Sequence, residues 1–470
     1  MRYIKPSISI IIPVLILIMP GQWIPLDNIS VVEQRLIAIF VMATLFWVLE
    51  PIPIFATSVL IITLELVMVS DSSFFLFSAP PEASNFGTVL SYKSIMAAFA
   101  SPIILLFLGG FFLAMAATKY RLDINLARVL LKPFGTDPKW VMLGLMVITA
   151  IFSMFMSNTA TTAMMLAILT PVLVTFRDDD PGKTGFILAI PFAANVGGIG
   201  TPIGTPPNAV AMKYLTGVNT ISFGEWMEFA IPYVIVLLII LWFVLLKFFP
   251  PSTKEIKVQI ENKFLKTGKA KTVYVTFIIT ILLWLFTDFH GMNSYIVAMI
   301  PVSVFLVSRI LTADDLKRIS WDVLWLIAGG IALGTGLEQS GLTEHLISSI
   351  PFDRLHPLLI VAIATIITLL MANFMSHTAT ANLLLPVMAA LGANVESLGA
   401  FGGSKMIILA VTFASSIAMS LPISTPPNAM AYASGIIKTP QMARTGVLMG
   451  MTGLILIYLM LYILKTIGFL

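Results

Sequence analysis

The chain has 470 residues, 58% of them hydrophobic and only 11% charged, with a mean hydropathy of +0.98. That composition belongs to a protein that crosses a membrane many times. The net charge is +4, and the short Lys-rich segments adjoin apolar spans and leave no basic surface for nucleic acid. There are no cysteines, which excludes disulfides, thiolate metal sites and cysteine nucleophiles.

The opening MRYIKPSISIIIPVLILIMP has the basic start and apolar run of a signal peptide. No small-residue cleavage site follows it, so it reads as a first span. Spans are predicted near 7–24, 33–50, 53–70, 94–118, 183–213, 228–249, 271–289, 293–311, 320–340, 405–436 and 443–468. Residues 94–118, 140–176 and 184–212 contain no Asp, Glu, Lys or Arg, and each is long enough to cross a bilayer. Two stretches, 138–176 and 357–394, are too long for one crossing. A single helix from Trp140 to Phe176 would run roughly 55 Å at ~1.5 Å per residue, against a hydrocarbon core of about 30 Å. Each must fold back, as two full spans or as a re-entrant hairpin, and polar residues at the turn favour the hairpin. The expected fold is an all-α polytopic membrane protein of about 11 transmembrane helices plus two re-entrant hairpins.

With that arrangement and a cytoplasmic N-terminus, 21 of the 27 Lys and Arg lie inside. Arg35, Lys93, Lys213, Arg354, Lys405 and Lys465 fall outside or at the outer boundary. The central linker 247–271, with seven lysines, is inside, as the positive-inside rule requires. Two full spans in place of each hairpin would leave this parity unchanged. The expected location is a bacterial inner membrane.

The chain also repeats itself. PIGTPPNAVA at 202–211 and PISTPPNAMA at 422–431 agree at eight of ten positions. Gly109-Gly110 recurs as Gly329-Gly330, and MSNTAT at 156–161 recurs as MSHTAT at 375–380, all at an offset of 219 or 220. Three motifs in one order at one spacing mark an internal repeat. Five spans separate the starts of the copies, so the copies are inverted. Loop charge agrees: 119–133 has four basic residues, whereas 338–354 has one and three acids. Inverted repeats with broken helices are a transporter architecture.

The repeated motifs carry the chemistry. Ser157-Asn158-Thr159 and Ser376-His377-Thr378 sit at the turns of the fold-back stretches. Their hydroxyls and amides can donate to an anion, and their carbonyl oxygens can bind a hard cation. In isolation such residues do no more than cap or join helices; duplication at matched places favours a binding role. Thr205-Pro206-Pro207-Asn208 and Thr425-Pro426-Pro427-Asn428 interrupt long apolar segments. The half-helix after each break is expected to present unpaired N–H groups to a carboxylate, and Gly204 and Ser424 allow close backbone approach. Gly109-Gly110 and Gly329-Gly330 read as close-packing positions. Glu50 and Glu65 read as boundary or buried carboxylates. His377 is the one histidine deep in an apolar stretch, standing where the first copy has asparagine. It is either a neutral, hydrogen-bonded residue or a charge carrier.

SNT motifs at hairpin tips, each followed about 48 residues later by a (G/S)TPPN break, resemble the divalent anion:sodium symporters, the dicarboxylate, citrate and sulfate carriers. The similarity runs from Glu50-Pro51-Ile52-Pro53 through both repeats. It implies a homodimer with an elevator mechanism, in which a transport domain of two hairpins and two broken helices slides against a scaffold. On this resemblance, residues 1–137 form scaffold spans with an interfacial cytoplasmic helix, and 138–249 a first transport unit. Residues 250–270 form the basic linker, 271–356 a second scaffold unit, and 357–470 a second transport unit.

The resemblance assigns substrate contacts to Asn158, Thr159, Thr205, Ser376, Thr378, Thr425 and Pro426, and His377 joins them by position. It assigns a first sodium site to Ser153, Ser157, Asn158 and Gly204. The second would use Ala372, Met375, His377 and Ser424, where SHT replaces SNT and an alanine holds a hydroxyl position. The expected function is sodium-coupled import of a C4 dicarboxylate such as succinate, with sodium ions as coupling ions and no organic cofactor. Sodium-independent exchange, with His377 standing in for a cation, and sulfate or citrate transport are alternatives. An intramembrane enzyme would need paired aspartates, a Ser–His pair or HExxH, and none is visible. A channel would need a continuous polar pore.

Overall fold

Prolines and short polar caps divide the apolar sequence into separate helices. The computed structural model describes residues 4–78, 85–177, 179–256, 264–349 and 355–470. Arg354 and part of the basic linker, residues 257–263, lie outside the described residues. Among the described residues there is no strand, only an isolated bridge between Ser70 and Leu90.

Helix α1 (Ile4–Ile18) leads to α2 (Val31–Leu49), whose start is set by a capping box. The Glu33 amide donates to Ser30 Oγ, and the Ser30 amide donates to Glu33 Oε2 at 2.7 Å. Glu50, in the left-handed conformation at φ 49, and Pro51 to Pro53 turn the chain into α3 (Ile54–Met68). The predicted span 94–118 is split by Pro102 into the short α4 (Tyr92–Ala97) and α5 (Pro102–Lys119), with Ser101 capping the second. The short helix α6 (Leu122–Leu131) follows. The first fold-back stretch is α7 (Pro138–Ser153) and α8 (Asn158–Leu173). The first broken segment is α9 (Gly182–Gly198) and α10 (Pro206–Tyr214), and α11 (Phe223–Phe248) closes this half.

The second half follows the same order. It begins with α12 (Gly268–Leu285), the single turn α13 (Thr287–His290) and α14 (Ser294–Val307). The short α15 (Ala313–Leu316) precedes α16 (Trp321–Gln339) and α17 (Leu342–Ser348). The second fold-back stretch is α18 (Pro357–Phe374) and α19 (His377–Asn394). After α20 (Glu396–Gly399) comes the second broken pair, α21 (Gly403–Ser416) and α22 (Pro426–Tyr432), and then α23 (Thr439–Thr466).

Six segments among the described residues are long and apolar enough to cross a membrane: α2, residues 92–119, α11, α12, α18 and α23. The other predicted spans are shorter, interrupted or less apolar. Burial separates two classes of helix. Every residue of α9 from Thr184 to Gly198, and of α21 from Met406 to Ser416, is buried. These helices are apolar all round because protein surrounds them. The outer helices instead expose large apolar side chains, such as Ile10 on α1, Ile278 on α12, Leu370 on α18 and Ile455 on α23. That surface suits lipid.

The two halves interlock reciprocally. Helix α5 packs on α14 of the second half, and α16 packs on α3 of the first. Both crossings depend on the first glycine of a Gly-Gly pair. A Cβ at Gly109 would lie 2.4 Å from the Ala298 carbonyl oxygen, and one at Gly329 would lie 2.3 Å from Ser58 Cβ. The close-packing role expected for these glycines is therefore what the helices use. Each hairpin lies on its own broken helix, while α10 packs on α19 and α22 on α8. An inverted repeat related by a pseudo-two-fold axis gives this exchange.

Candidate substrate site

Both hairpin turns are built around a capping serine. Ser157 Oγ accepts from the Ala160 amide at 3.2 Å, and Ser376 Oγ accepts from the Ala379 amide at 3.2 Å. Helices α8 and α19 thus begin with Asn158-Thr159 and His377-Thr378. Amides at the first helical positions have no intrahelical acceptor, so these two starts offer N–H groups and a positive dipole end.

The breaks are held open by their own asparagines. Asn208 Nδ2 donates to the carbonyls of Gly198 (3.2 Å), Ile199 (3.2 Å) and Thr201 (2.8 Å). Asn428 Nδ2 donates to Met419 O (3.0 Å), Leu421 O (3.1 Å) and Ser424 Oγ (3.2 Å). Unwound carbonyls buried in a membrane protein need such partners. Thr201 Oγ1 donates to Met154 O and ties the first break to the first hairpin turn. A Cβ at position 204 would lie 2.3 Å from Gly198 O, so glycine is required there. One expectation is corrected. The half-helices α10 and α22 do not present a row of free N–H groups, because prolines fill their first two positions and have none. The next amides are engaged: Asn208 N donates to Thr205 O at 3.1 Å, and Asn428 N to Thr425 Oγ1 at 3.2 Å.

Tips and breaks meet around one cavity of about 290 Å³. The first half contributes Ser157, Asn158, Thr159, Gly204, Thr205 and Pro206. The second contributes Ser376, His377, Thr378, Ser424, Thr425 and Pro426. Three predicted residues lie behind this surface. Ser153 Oγ is buried, 2.6 Å from Asn158 Oδ1 and 2.7 Å from Ala194 O. A hydroxyl, an amide oxygen and a carbonyl so close together are the donor types a hard cation prefers. Ala372 and Met375 are buried and bring no side-chain oxygen. Ser424 Oγ donates to Leu421 O at 2.7 Å, and His377 Nε2 lies 2.5 Å from Ala418 O. A carbonyl can only accept, so Nε2 carries a proton and cannot ligate a cation. The two cation sets expected from the sequence are therefore built differently.

Several lining residues were not anticipated. Asn195 of α9 donates through Nδ2 to Thr425 Oγ1 at 3.2 Å and Asn428 Oδ1 at 3.1 Å, joining the first broken helix to the second break. Its signal was an amide inside an uncharged apolar stretch, which is seldom buried without partners. Phe55, Phe107 and Phe111 form an apolar wall from α3 and α5, and Asp322 enters from the first turn of α16. Among the lining residues only Asp322 and His377 are ionisable, and there is no Lys or Arg.

A second cavity of about 310 Å³ shares Phe111 and Ser157 with the first and continues past Lys119, Asp315 and Arg318. Lys119 Nζ lies 2.5 Å from Asp315. Burial alone would raise the pKa of Asp315, but hydrogen bonds from Lys119 and Thr312 hold its carboxyl below the usual range. Further along α16, Lys213 Nζ of α10 donates to Ile331 O at 2.8 Å and Thr335 Oγ1 at 3.0 Å, and Asn382 Nδ2 of α19 donates to Leu326 O at 3.0 Å.

The model of the family described as the sodium:sulfate symporter transmembrane region matches residues 1–467. The sodium-dependent dicarboxylate transporter SdcS of Staphylococcus saprophyticus is 30% identical over 478 residues, covering 93% of this chain and 87% of the relative. SdcS of Staphylococcus aureus is 31% identical over 465 residues, covering 91% and 85%. Among solved structures, MtrF of Neisseria gonorrhoeae has a TM-score of 0.52 and covers 87% of this chain and 94% of its own. The Alcanivorax borkumensis YdaH transporter has a TM-score of 0.55 and covers 88% and 98%. Both are 11% identical, so they share the fold alone.

Proposed function

The chain belongs to the sodium:sulfate symporter transmembrane family of membrane transporters, and from that membership and the charge of its central cavity we propose that it imports a small divalent organic anion together with sodium. A dicarboxylate is the cargo by analogy with the SdcS relatives, and a C4 compound such as succinate is our choice within that class. The single observation that carries this reading is the charge balance of the lining. Hydroxyls, amides and two helix starts can bind two carboxylates, yet no Lys or Arg offsets their charge and Asp322 adds to it. Desolvating an unpaired charge is costly, and a co-bound cation supplies the missing charge.

In this reading Asn158, Thr159, Thr205, Thr378 and Thr425 donate to the carboxylates, while Ser376 and Pro426 shape the second half of the site. Ser153, Ser157, Asn158 and Gly204 hold one sodium ion through oxygen donors. The second set, Ala372, Met375, His377 and Ser424, holds an imidazole where a second ion would go. A side chain in place of an ion favours one second reading, sodium-independent exchange of dicarboxylates.

The hairpins and broken helices in 138–249 and 357–470 move as a transport domain against a scaffold formed by 1–137 and 271–356. The scaffold pairs two copies in a homodimer. With the N-terminus cytoplasmic in a bacterial inner membrane, the cavity at Lys119 and Arg318 faces the cytoplasm and the conformation is inward-open. Purified protein in liposomes is expected to accumulate labelled succinate under an inward sodium gradient and not when potassium replaces sodium. Uptake that ignores sodium but needs internal dicarboxylate would replace symport with exchange.

A further inference from the structure

Asp322 is an acid in a cavity otherwise arranged for an anion. It is the second residue of α16, a scaffold helix packed on α3, whereas the polar groups of the cavity come from the hairpins and breaks. Its side chain is exposed to the cavity and makes no ion pair or hydrogen bond among the described residues. The neighbouring cavity carries the opposite sign, because Arg318 is exposed there beside Lys119, whose charge is shared with Asp315.

We propose that Asp322 is a release residue: fixed on the scaffold, it weakens dianion binding in the conformation seen here and drives the cargo toward Arg318. This rests on the transport reading of the cavity. A unit charge within a few ångströms to a nanometre of a dianion, partly screened by water, weakens binding on the order of tenfold. The repulsion acts only while the hairpins and breaks lie against α16. When they move away with the cargo, Asp322 stays behind, and the site is not weakened from the opposite side. One scaffold carboxylate thereby makes the two faces of the membrane unequal in affinity without altering any residue of the transport domain.

The test measures sodium-driven succinate transport in vesicles of both orientations, so that KM is obtained from each side. Asp322→Asn is expected to lower KM on the side of Arg318 on the order of tenfold and to slow turnover, because release becomes limiting. KM on the opposite side changes little, and Asp322→Glu behaves as the wild type. A merely structural role for Asp322 would not tighten binding on one face. Asp322→Ser, with a smaller neutral side chain that still suits a helix start, serves if the Asn variant fails to fold. Equal KM changes on both sides, or weaker sodium activation with no gain in succinate affinity, would overturn the proposal while leaving the transport reading intact. Wild-type protein that neither binds nor carries succinate would remove both.

Discussion

His377 and Asn158 occupy matching places at the two hairpin tips, but their polar atoms point to different tasks. Asn158 turns an amide oxygen toward Ser153 Oγ at 2.6 Å, leaving an oxygen-rich corner. His377 instead directs an N–H at the Ala418 carbonyl and brings no oxygen to its tip. The difference has a measurable consequence. His377→Asn frees that carbonyl and returns an amide oxygen to the second tip, so sodium activation of uptake is expected to become steeper, with a higher apparent sodium order. If the imidazole had been supplying positive charge, the variant also loses whatever sodium-independent exchange the wild type shows. A sodium curve that superposes on the wild type would return His377 to a structural hydrogen bond. The asparagines of the two TPPN motifs are a contrasting case. Asn208 and Asn428 sit at equivalent positions and perform the same task, each binding carbonyls freed by its own break. Symmetry persists where the backbone needs it and fails where the ion would bind.

Between elements, the interlocked crossings of α5 with α14 and α3 with α16 rest on glycine contacts with little room to yield. Gly329→Ala would place a methyl 2.3 Å from Ser58 Cβ and 2.6 Å from its Cα, so the helices must separate. Overpacking of this kind costs about 1–3 kcal/mol. The variant is expected to unfold at lower temperature in detergent, and an unchanged Tm would mean the crossing is looser than drawn. The sequence foreshadowed these contacts, as it did the hairpins and breaks, because each is a local event: a polar triplet, a proline pair or a glycine pair inside an apolar run. The turn between α18 and α19 falls on Met375-Ser376, inside the predicted motif. What was not legible depended on partners remote in sequence. Nothing near Asn195 announces Thr425, 230 residues away, and nothing near Asp322 announces a cavity whose other walls begin at Ile54. The N–H donors were assigned to the wrong helix starts for a different reason. A Pro-Pro pair signals a break, but the same two residues occupy the first helical positions and remove the donors that the break seemed to promise.

At the scale of the whole molecule, the elevator reading requires the first break to leave α5, and one contact makes that testable. A Cβ at Gly110 would lie 3.9 Å from Ile203 Cβ, within the range of about 3.5–4.5 Å that a disulfide spans. Gly110 belongs to α5, and Ile203 belongs to the unwound segment two residues before Thr205. The chain has no cysteine, so no native thiol competes. Gly110→Cys combined with Ile203→Cys is expected to cross-link within one chain on mild oxidation. Succinate transport should then stop and return after reduction with dithiothreitol. Each single variant controls for the proximity of Ile203 to the site, and only the pair should respond to oxidant. Because the bond joins α5 to the first break, which the elevator reading assigns to scaffold and transport domain, the locked protein should still bind succinate from the side of Lys119 and Arg318 and be closed from the other. Full transport by the oxidised pair would mean that α5 and the first break travel together. Cargo would then cross by a local gate between the hairpin tips rather than by displacement of the whole transport domain.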